Sequence, residues 1–307
     1  MNLQQLEYIL AVDTFRHFAR AAEHCHITQP TLSMMIQKLE EELGVKIFDR
    51  TKQPVCPTDV GIHLIEQARE VLTAAGRFKA IAAEIGETVF GELKVGIIPT
   101  IAPYLLPIFI DSFHAKYPDV RLKISEVVTS QLLERLDTGD LDVGIMVAPE
   151  NEKGLVSIDL YHEPFVVYTP QEYNKQYLLA EDLNVNELLL LEEGHCFRSQ
   201  IIQFCELRDL ANRKVEFTSG SLETLRYLTE QHMGVTVLPD LATRYLPADK
   251  MAFVKQFAVP RPSRQVSLVS KRAFVKKKLI EAFVEEILLN VPSKIAKGDM
   301  VNVPLNT

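Results

Sequence analysis

Two cysteines nine residues apart, Cys196 and Cys205, with His195 directly before the first, form the stretch of this chain best suited to chemistry. It follows the apolar run Leu188 to Leu191 and the polar break Glu192-Glu193-Gly194. Phe197, Ile201 and Phe204 then recur at three- and four-residue spacing, which predicts a helix with Cys196 at its N-terminus. Free backbone N–H groups and the macrodipole favour an anion there, so the thiol pKa is expected to fall. His195 and Arg198 sit beside it as donors or positive charges. On an unbroken helix the two cysteines stand about 13 Å apart, whereas a disulfide needs Cα atoms within about 7 Å. Either the sulfurs never meet, or their pairing unwinds the segment and can act as a switch. Two inert buried cysteines are the alternative, because free cysteine is among the most buried residue types. A zinc site fits less well, since His195-Cys196 with Cys205 lacks the short paired spacing of structural metal sites.

The surrounding chain must position these groups. Its 307 residues suffice for two domains, or three with a subdivided second part. Cys25, Cys56, Cys196 and Cys205 are too few and scattered for a disulfide scaffold, and the polar N-terminus lacks a secretion-signal core. No apolar run approaches the roughly 20 residues of a membrane span. A reducing cytoplasm is the expected compartment, where a disulfide would be regulatory. The net charge of −8 argues against nucleic-acid binding by the whole surface but leaves room for a local basic face.

The first 60 residues read as short helices. Leu3, Leu6 and Ile9 or Leu10 mark one, and Phe18 to Glu23 a second with small alanines. Thr28 is an N-cap, Pro30 falls in the first turn, and Leu32, Ile36, Leu39 and Leu43 share an apolar face ended by Gly44. This spacing predicts a helix-turn-helix whose third helix enters the major groove. Val45 to Lys52 with Pro54 and Pro57 reads as a small β-wing, Arg50 and Lys52 facing phosphates. Ordinary helical packing is the alternative. Residues 1–85 hold nine Lys/Arg against eleven Asp/Glu, a balance of −2. Binding therefore requires Arg20, Lys38, Arg50 and Lys52 on one face, with Glu40-Glu41-Glu42 turned away. From Thr58, a cap, a helix runs over about 59–85 with Ile65, Ala68, Leu72, Ala75, Lys79 and Ala82 at dimer-seam spacing. A buried core helix is the alternative there.

Beyond Thr88 the texture changes to alternating strands and helices. Strands are expected at Leu93–Ile98, Val120–Val127, Leu141–Val147, Phe165–Tyr168, Leu188–Leu191, Val215–Thr218, Gly234–Leu238 and Val266–Val269. Helices are expected from Pro99-Thr100 through Phe113, at Gln131–Leu136, from Cys196, from Ser221 and at Phe274–Leu289. Such alternation predicts parallel βα units in two α/β lobes joined by two crossovers. Ligands in such folds lie at strand C-termini and helix N-termini, where Thr100, Thr129 and Cys196 fall.

Ala21-Ala22, Thr28-Gln29-Pro30-Thr31-Leu32-Ser33, Leu39 to Val45, Phe48-Asp49-Arg50-Thr51 and Thr58 to Gly61 resemble the LysR-type transcriptional regulators. Gly96 to Thr100, Pro103 to Pro107, Gln131-Leu132-Leu133, Leu191 to Cys196, Phe204-Cys205 and Ser221 to Arg226 resemble the peroxide-sensing branch of that family. The resemblance covers essentially the whole chain. It implies an N-terminal all-α winged helix-turn-helix (1–58), a long linker and dimerisation helix (59–87) and a redox-sensing effector domain (88–307). The last is an α/β two-lobed domain of periplasmic-binding-protein type, with lobe I at about 88–161 and 268–307 and lobe II at about 162–267. It also implies a peroxidatic Cys196, a resolving Cys205 joined to it in a reversible disulfide, and a peroxide site of Thr100, Thr129, His195 and Arg264. Gln29, Pro30, Thr31, Ser33, Lys38, Arg50 and Lys52 would contact DNA. Implied partners are double-stranded promoter DNA, further copies of the chain in a homodimer or homotetramer, RNA polymerase, hydrogen peroxide and a dithiol reductant. No membrane, metal or cofactor is called for. Met34-Met35 and Gln53-Pro54-Val55-Cys56 depart from the usual polar or basic residues, so the operator sequence does not carry over. Two rival functions remain: a regulator gated by a small metabolite with structural cysteines, and a thiol peroxidase, for which a helix-turn-helix has no use.

Overall fold

The structure, a computed structural model, describes residues 1–83, 88–149, 154–205, 219–271, 276–292 and 300–303. The chain divides into two compact units, Met1–Ile85 and Gly86–Thr307. In the first, α1 (Leu3–Phe15) starts from a capping box between Asn2 and Gln5, and α2 (Phe18–His24) follows. Helix α3 (Gln29–Leu43) is capped by Thr28 and ends at Gly44, whose φ of 71° suits a left-handed stop. Leu32, Ile36 and Leu39 are fully buried against Ile9, Val12 and Ala21, whereas Leu43, expected on the same face, is exposed in the last turn.

The wing is smaller than the alternation of Val45 to Lys52 indicates. Only β1 (Phe48–Asp49) and β2 (Cys56–Pro57) pair, antiparallel. Next comes α4 (Asp59–Ala83), whose first turn is capped as expected: Gly61 N donates to Thr58 Oγ1 at 2.9 Å. Ile65 and Ala68, read from spacing as a dimer seam, are instead buried in the core of their own unit, where α4 packs on α1. The same 3-4 spacing serves either purpose, so periodicity alone does not choose between them. The side chains of Lys79 and Ala82 lie outside the described set.

The second unit begins with β3 (Gly91–Ile97), α5 (Ala102–Lys116), β4 (Val120–Glu126), α6 (Thr129–Asp137) and β5 (Val143–Met146). Strand β3 pairs in parallel with both β4 and β5. Gly96 and Gly144 stand side by side there, and a Cβ on Gly144 would lie 2.4 Å from Leu132 Cδ2. The missing side chains let α6 approach the sheet, which fixes Thr129 at its first turn. There follow β6 (Leu155–Tyr168), β7 (Tyr177–Leu178), β8 (Leu188–Leu189), α7 (Cys196–Phe204), α8 (Leu222–Glu230), β9 (Val235–Pro239), β10 (Val254–Phe257), β11 (Arg261–Lys271), α9 (Lys277–Asn290) and β12 (Met300–Asn302).

The expected parallel pairing holds for β3 with β4 and β5, for β8 with β9 and for β7 with β10, but both lobes are mixed, because β6 and β11 enter them antiparallel to β9, β10 and β5. Strands β6 and β11 run antiparallel along most of their length. One end of β11 pairs with β5, and the far end of β6 pairs with β9 and β10, so these two strands are the crossovers joining the lobes. Both are far longer than the Phe165–Tyr168 and Val266–Val269 segments that apolar content marks. The strand expected at Val215–Thr218 lies outside the described residues. Among the described residues no helix is long and apolar enough to cross a membrane.

Candidate functional site

Helix α7 follows the expected register. Phe197 and Ile201 are buried, Phe204 packs edge-on against Phe257, and Cys196 is the first helical residue at 6% exposure. The Phe197 ring meets Phe165 edge-on and lies 5.1 Å from the guanidinium carbon of Arg264. Burying this face anchors the start of the helix at about 1.5–3 kcal/mol per large side chain.

Arg264, from β11, is wholly buried and every arm is occupied. Its Nη1 donates to Thr100 Oγ1 at 2.8 Å and its Nη2 to the Thr100 carbonyl at 2.9 Å. Nε and Nη2 both donate to Glu163 Oε2, at 2.9 and 2.7 Å. Thr100 thus presents its hydroxyl as an acceptor to Arg264 and keeps its own O–H to donate. Thr129 Oγ1 is buried with no hydrogen-bond partner in regular geometry, yet it lies close enough to favour a Cys196 thiolate. Cys196, Thr129, Thr100 and Arg264 are therefore one constellation, drawn from α7, α6, the β3–α5 turn and β11.

The electrostatics differ from the local expectation. Burial pushes the Cys196 thiol up from its ordinary value, against the pull of Arg264, the Thr129 hydroxyl and the Phe197 backbone N–H. The helix terminus acts as expected in sign, but desolvation outweighs it. His195 is the buried N-cap residue of α7 but makes no side-chain cap; its Nε2 faces Glu192 Oε1 at 3.7 Å. Arg198 donates from Nη1 to the Leu191 carbonyl at 2.8 Å. Adjacency in the chain thus does not give the hydrogen-bond or charge partner of either side chain, which are Glu192 and Leu191.

Cys205 caps the other end of α7, half-buried, and burial pushes its thiol up to about 11. Both cysteines are free thiols at opposite ends of an intact nine-residue helix. The adjoining segment Glu206 to Arg213 lies outside the described residues. Among the described residues no cluster of three His, Cys, Asp or Glu side chains is arranged to hold a metal ion.

In the first unit, Gln29, Pro30, Thr31 and Lys38 are exposed along α3 and Ser33 is half-buried. A groove of about 810 Å³ between helices and wing is lined by Arg16, Arg20, Gln29, Arg50 and Lys52 together with wing residues. Three of the four cations expected on one face share this groove; Lys38 is not among its lining residues. Arg50 is also engaged internally: Nη1 donates to Ser33 Oγ at 2.8 Å, Nη2 to Glu40 Oε2 at 3.3 Å, and its guanidinium covers the Phe18 ring. Glu40, expected to point away, is buried and accepts the backbone N–H groups of Ile47 and Phe48. Glu41 and Glu42 are exposed.

Residues 3–62 match the bacterial regulatory helix-turn-helix proteins of the lysR family, and residues 86–290 match the LysR substrate binding domain. A hydrogen peroxide-inducible genes activator of Pectobacterium carotovorum is 39% identical over 273 residues, 88% of this chain and 90% of the relative. The Escherichia coli DNA-binding transcriptional dual regulator OxyR is 37% identical, covering 94% of this chain and 95% of its own. This chain belongs to the OxyR branch of the LysR family. A full-length OxyR variant from Pseudomonas aeruginosa superposes with a TM-score of 0.76 at 37% identity over 95% of this chain and 96% of that one. A hydrogen-peroxide-bound OxyR variant from Corynebacterium glutamicum does so at 0.63 and 29%, covering 96% and 94%. As a LysR-family regulator, this chain is a DNA-binding protein and not an enzyme.

Three groups in this LysR-type fold escaped the sequence reading. Glu163 is the buried counter-charge of Arg264, and its other oxygen accepts the Leu241 N–H at 3.1 Å. Its signal was present, a lone carboxylate in the apolar run Leu160 to Tyr168. Tyr161, on the same strand, has a buried hydroxyl without a partner. Gln200, fully buried in the middle of α7, donates from Nε2 to the Val303 carbonyl at 2.6 Å.

Proposed function

We propose that this protein is a hydrogen-peroxide-sensing transcription regulator in which Cys196 is the peroxidatic thiol and Cys205 the resolving one. One observation carries the reading: a buried cysteine at a helix start, with an arginine, an unpartnered threonine hydroxyl and a second threonine converging around it. The Cys196 thiolate attacks one peroxide oxygen, the O–O bond breaks, and hydroxide leaves, taking up a proton as water. The sulfenic acid is then attacked by the Cys205 thiolate, which expels water and closes the disulfide. Thr100 and Thr129 orient the two peroxide oxygens and Arg264 stabilises the developing charge. His195, next to Cys196 in the chain, is in this reading a further member of the peroxide site. No metal or organic cofactor enters either step.

The same reading assigns 1–58 to DNA binding, 59–87 to linkage and dimerisation, and 88–307 to sensing, the last in lobes at about 88–161 with 268–307 and at about 162–267. Gln29, Pro30, Thr31, Ser33 and Lys38 meet promoter DNA, with Lys52 and Arg50 at the wing. The disulfide alters contacts within a homodimer or homotetramer and so its action with RNA polymerase, and a cytoplasmic dithiol resets it. Thiol counting before and after one equivalent of peroxide tests the chemistry. Loss of Cys196 and Cys205 together, restored by a dithiol, is expected. No loss would favour a metabolite-gated regulator with structural cysteines, and continuous peroxide consumption with reductant would favour a peroxidase. Footprinting of both redox forms tests the coupling to DNA.

A further inference from the structure

We infer that Glu163 is a positioning residue that fixes Arg264 and sets how much of its positive charge is felt at the Cys196 sulfur, an inference that rests on the sensing role given to Cys196. Glu163 and Arg264 stand directly opposite each other on β6 and β11. Both are buried, at 1% and 0% exposure, and the carboxylate is held from two sides. One oxygen accepts from Nε and Nη2 of Arg264, and the other accepts the Leu241 backbone N–H in the turn after β9. That double attachment leaves the guanidinium one orientation, with Nη1 on Thr100 Oγ1 and its face on Phe197.

Among the described residues, Arg264 faces Glu163 from β11, Asp240 approaches from the turn after β9 with Arg261 near it, Tyr161 lies on the same strand as Glu163, and Tyr104 of α5 lies near Arg264. Cys196 is faced by Arg264 from β11, the Thr129 hydroxyl from α6 and the Phe197 N–H of its own helix. A lone guanidinium in such a dry pocket would make the thiolate its counter-ion. A carboxylate already locked onto it reduces the field at sulfur to that of a short dipole, and it also removes the cost of an uncompensated buried cation. Consistently, burial dominates at Cys196 and the arginine only moderates it. Glu163 therefore limits how far the arginine offsets the cost of burying a thiolate at this sulfur.

The test is the pH profile of Cys196 alkylation by iodoacetamide in the reduced full-length protein, resolved by mass spectrometry from Cys25, Cys56 and Cys205. Glu163→Gln should lower the midpoint by about one pH unit, a roughly tenfold gain in reactive thiolate at neutral pH. A pocket merely loosened by the substitution would raise the plateau rate without moving the midpoint. Glu163→Asp keeps the buried charge but draws it one methylene away from Arg264, and should give a smaller fall in the same direction. In an Arg264→Gln background the Glu163→Gln change should have no effect, because Glu163 acts through the arginine. An unmoved or raised midpoint in the Asp variant, or an equal shift without Arg264, overturns the proposal, and the Asp arm decides if the Gln variant does not fold. No peroxide is used, so failure here leaves the sensing chemistry to its own thiol-counting test.

Discussion

Cys196 opens α7 and Cys205 caps its far end, so the intact helix holds the two cysteines about 13 Å apart at 1.5 Å per residue. A disulfide needs about half that separation. Bond formation in this geometry therefore requires α7 to unwind, which strips Phe197 and Ile201 of the burial they have in the reduced form.

The first prediction separates the two sulfurs. Cys196→Ser should abolish the response to micromolar peroxide, while Cys205→Ser should still yield a sulfenic acid trappable at position 196. Hydrogen exchange of the wild type should show residues 196–205 losing protection on oxidation, with no such change in Cys205→Ser. Sulfenic acid trapped mainly at Cys205, or unchanged exchange in a protein shown to carry the bond, would reverse the assignment.

A second prediction follows from the Cys205 thiol being pushed up to about 11 by burial. A folded-state pKa above the unfolded one means that the native state holds this proton more tightly. Its contribution to stability is complete below the ordinary thiol value of about 8.5 and is lost as pH rises from there towards about 11. Urea midpoints of the reduced protein should fall across that window, and Cys205→Ala should fall less. Parallel curves for the two proteins would contradict this.

The wing supplies a third test. Lys52 is exposed and only loosely paired with Asp49, at 3.7 Å. Lys52→Ala should leave thermal stability unchanged and flatten the dependence of DNA affinity on log salt by about one unit. Arg50→Ala instead removes a strut between Ser33, Glu40 and Phe18 and should lower stability by on the order of 1 kcal/mol. If Arg50→Ala changes only the salt slope, the strut has no energetic weight.

A fourth concerns the start of α4. A Cβ on Gly61 would lie 2.0 Å from the Ile47 carbonyl oxygen, a backbone atom with little room to retreat. Gly61→Ala should destabilise the DNA-binding unit by about 1–3 kcal/mol despite alanine's better helix propensity. Thermal unfolding followed by loss of DNA binding measures it; a stabilised variant would show that the wing simply moves aside.

Much of this was legible in the chain. Thr28, Pro30 and Gly44 bound α3 as local capping chemistry dictates, and Phe197 with Ile201 set the register of α7. Glu40 could have been read as buried, since it lies four residues after Ile36 on the apolar face; the run of three glutamates disguised it. The full lengths of β6 and β11 could not be read locally, because each strand is extended by a partner about a hundred residues away, Leu155 against Lys271 at one end. The sign of the Cys196 shift was missed for the same reason: a helix terminus is local, whereas burial belongs to the assembled lobes.

The Gln200–Val303 contact, between residues 103 apart in sequence, is made from the middle of α7, and unwinding the helix to join its two end cysteines would break it. Any interaction confined to the dithiol form raises the reduction potential of the corresponding disulfide, since it is recovered on reduction. A hydrogen bond contributing about 1 kcal/mol corresponds to on the order of 20 mV for this two-electron couple. With a Cys196–Cys205 disulfide, Val303, the residue after β12, would make the protein harder to oxidise by mild oxidants and easier to reset, although it contributes no atom to the sulfur chemistry.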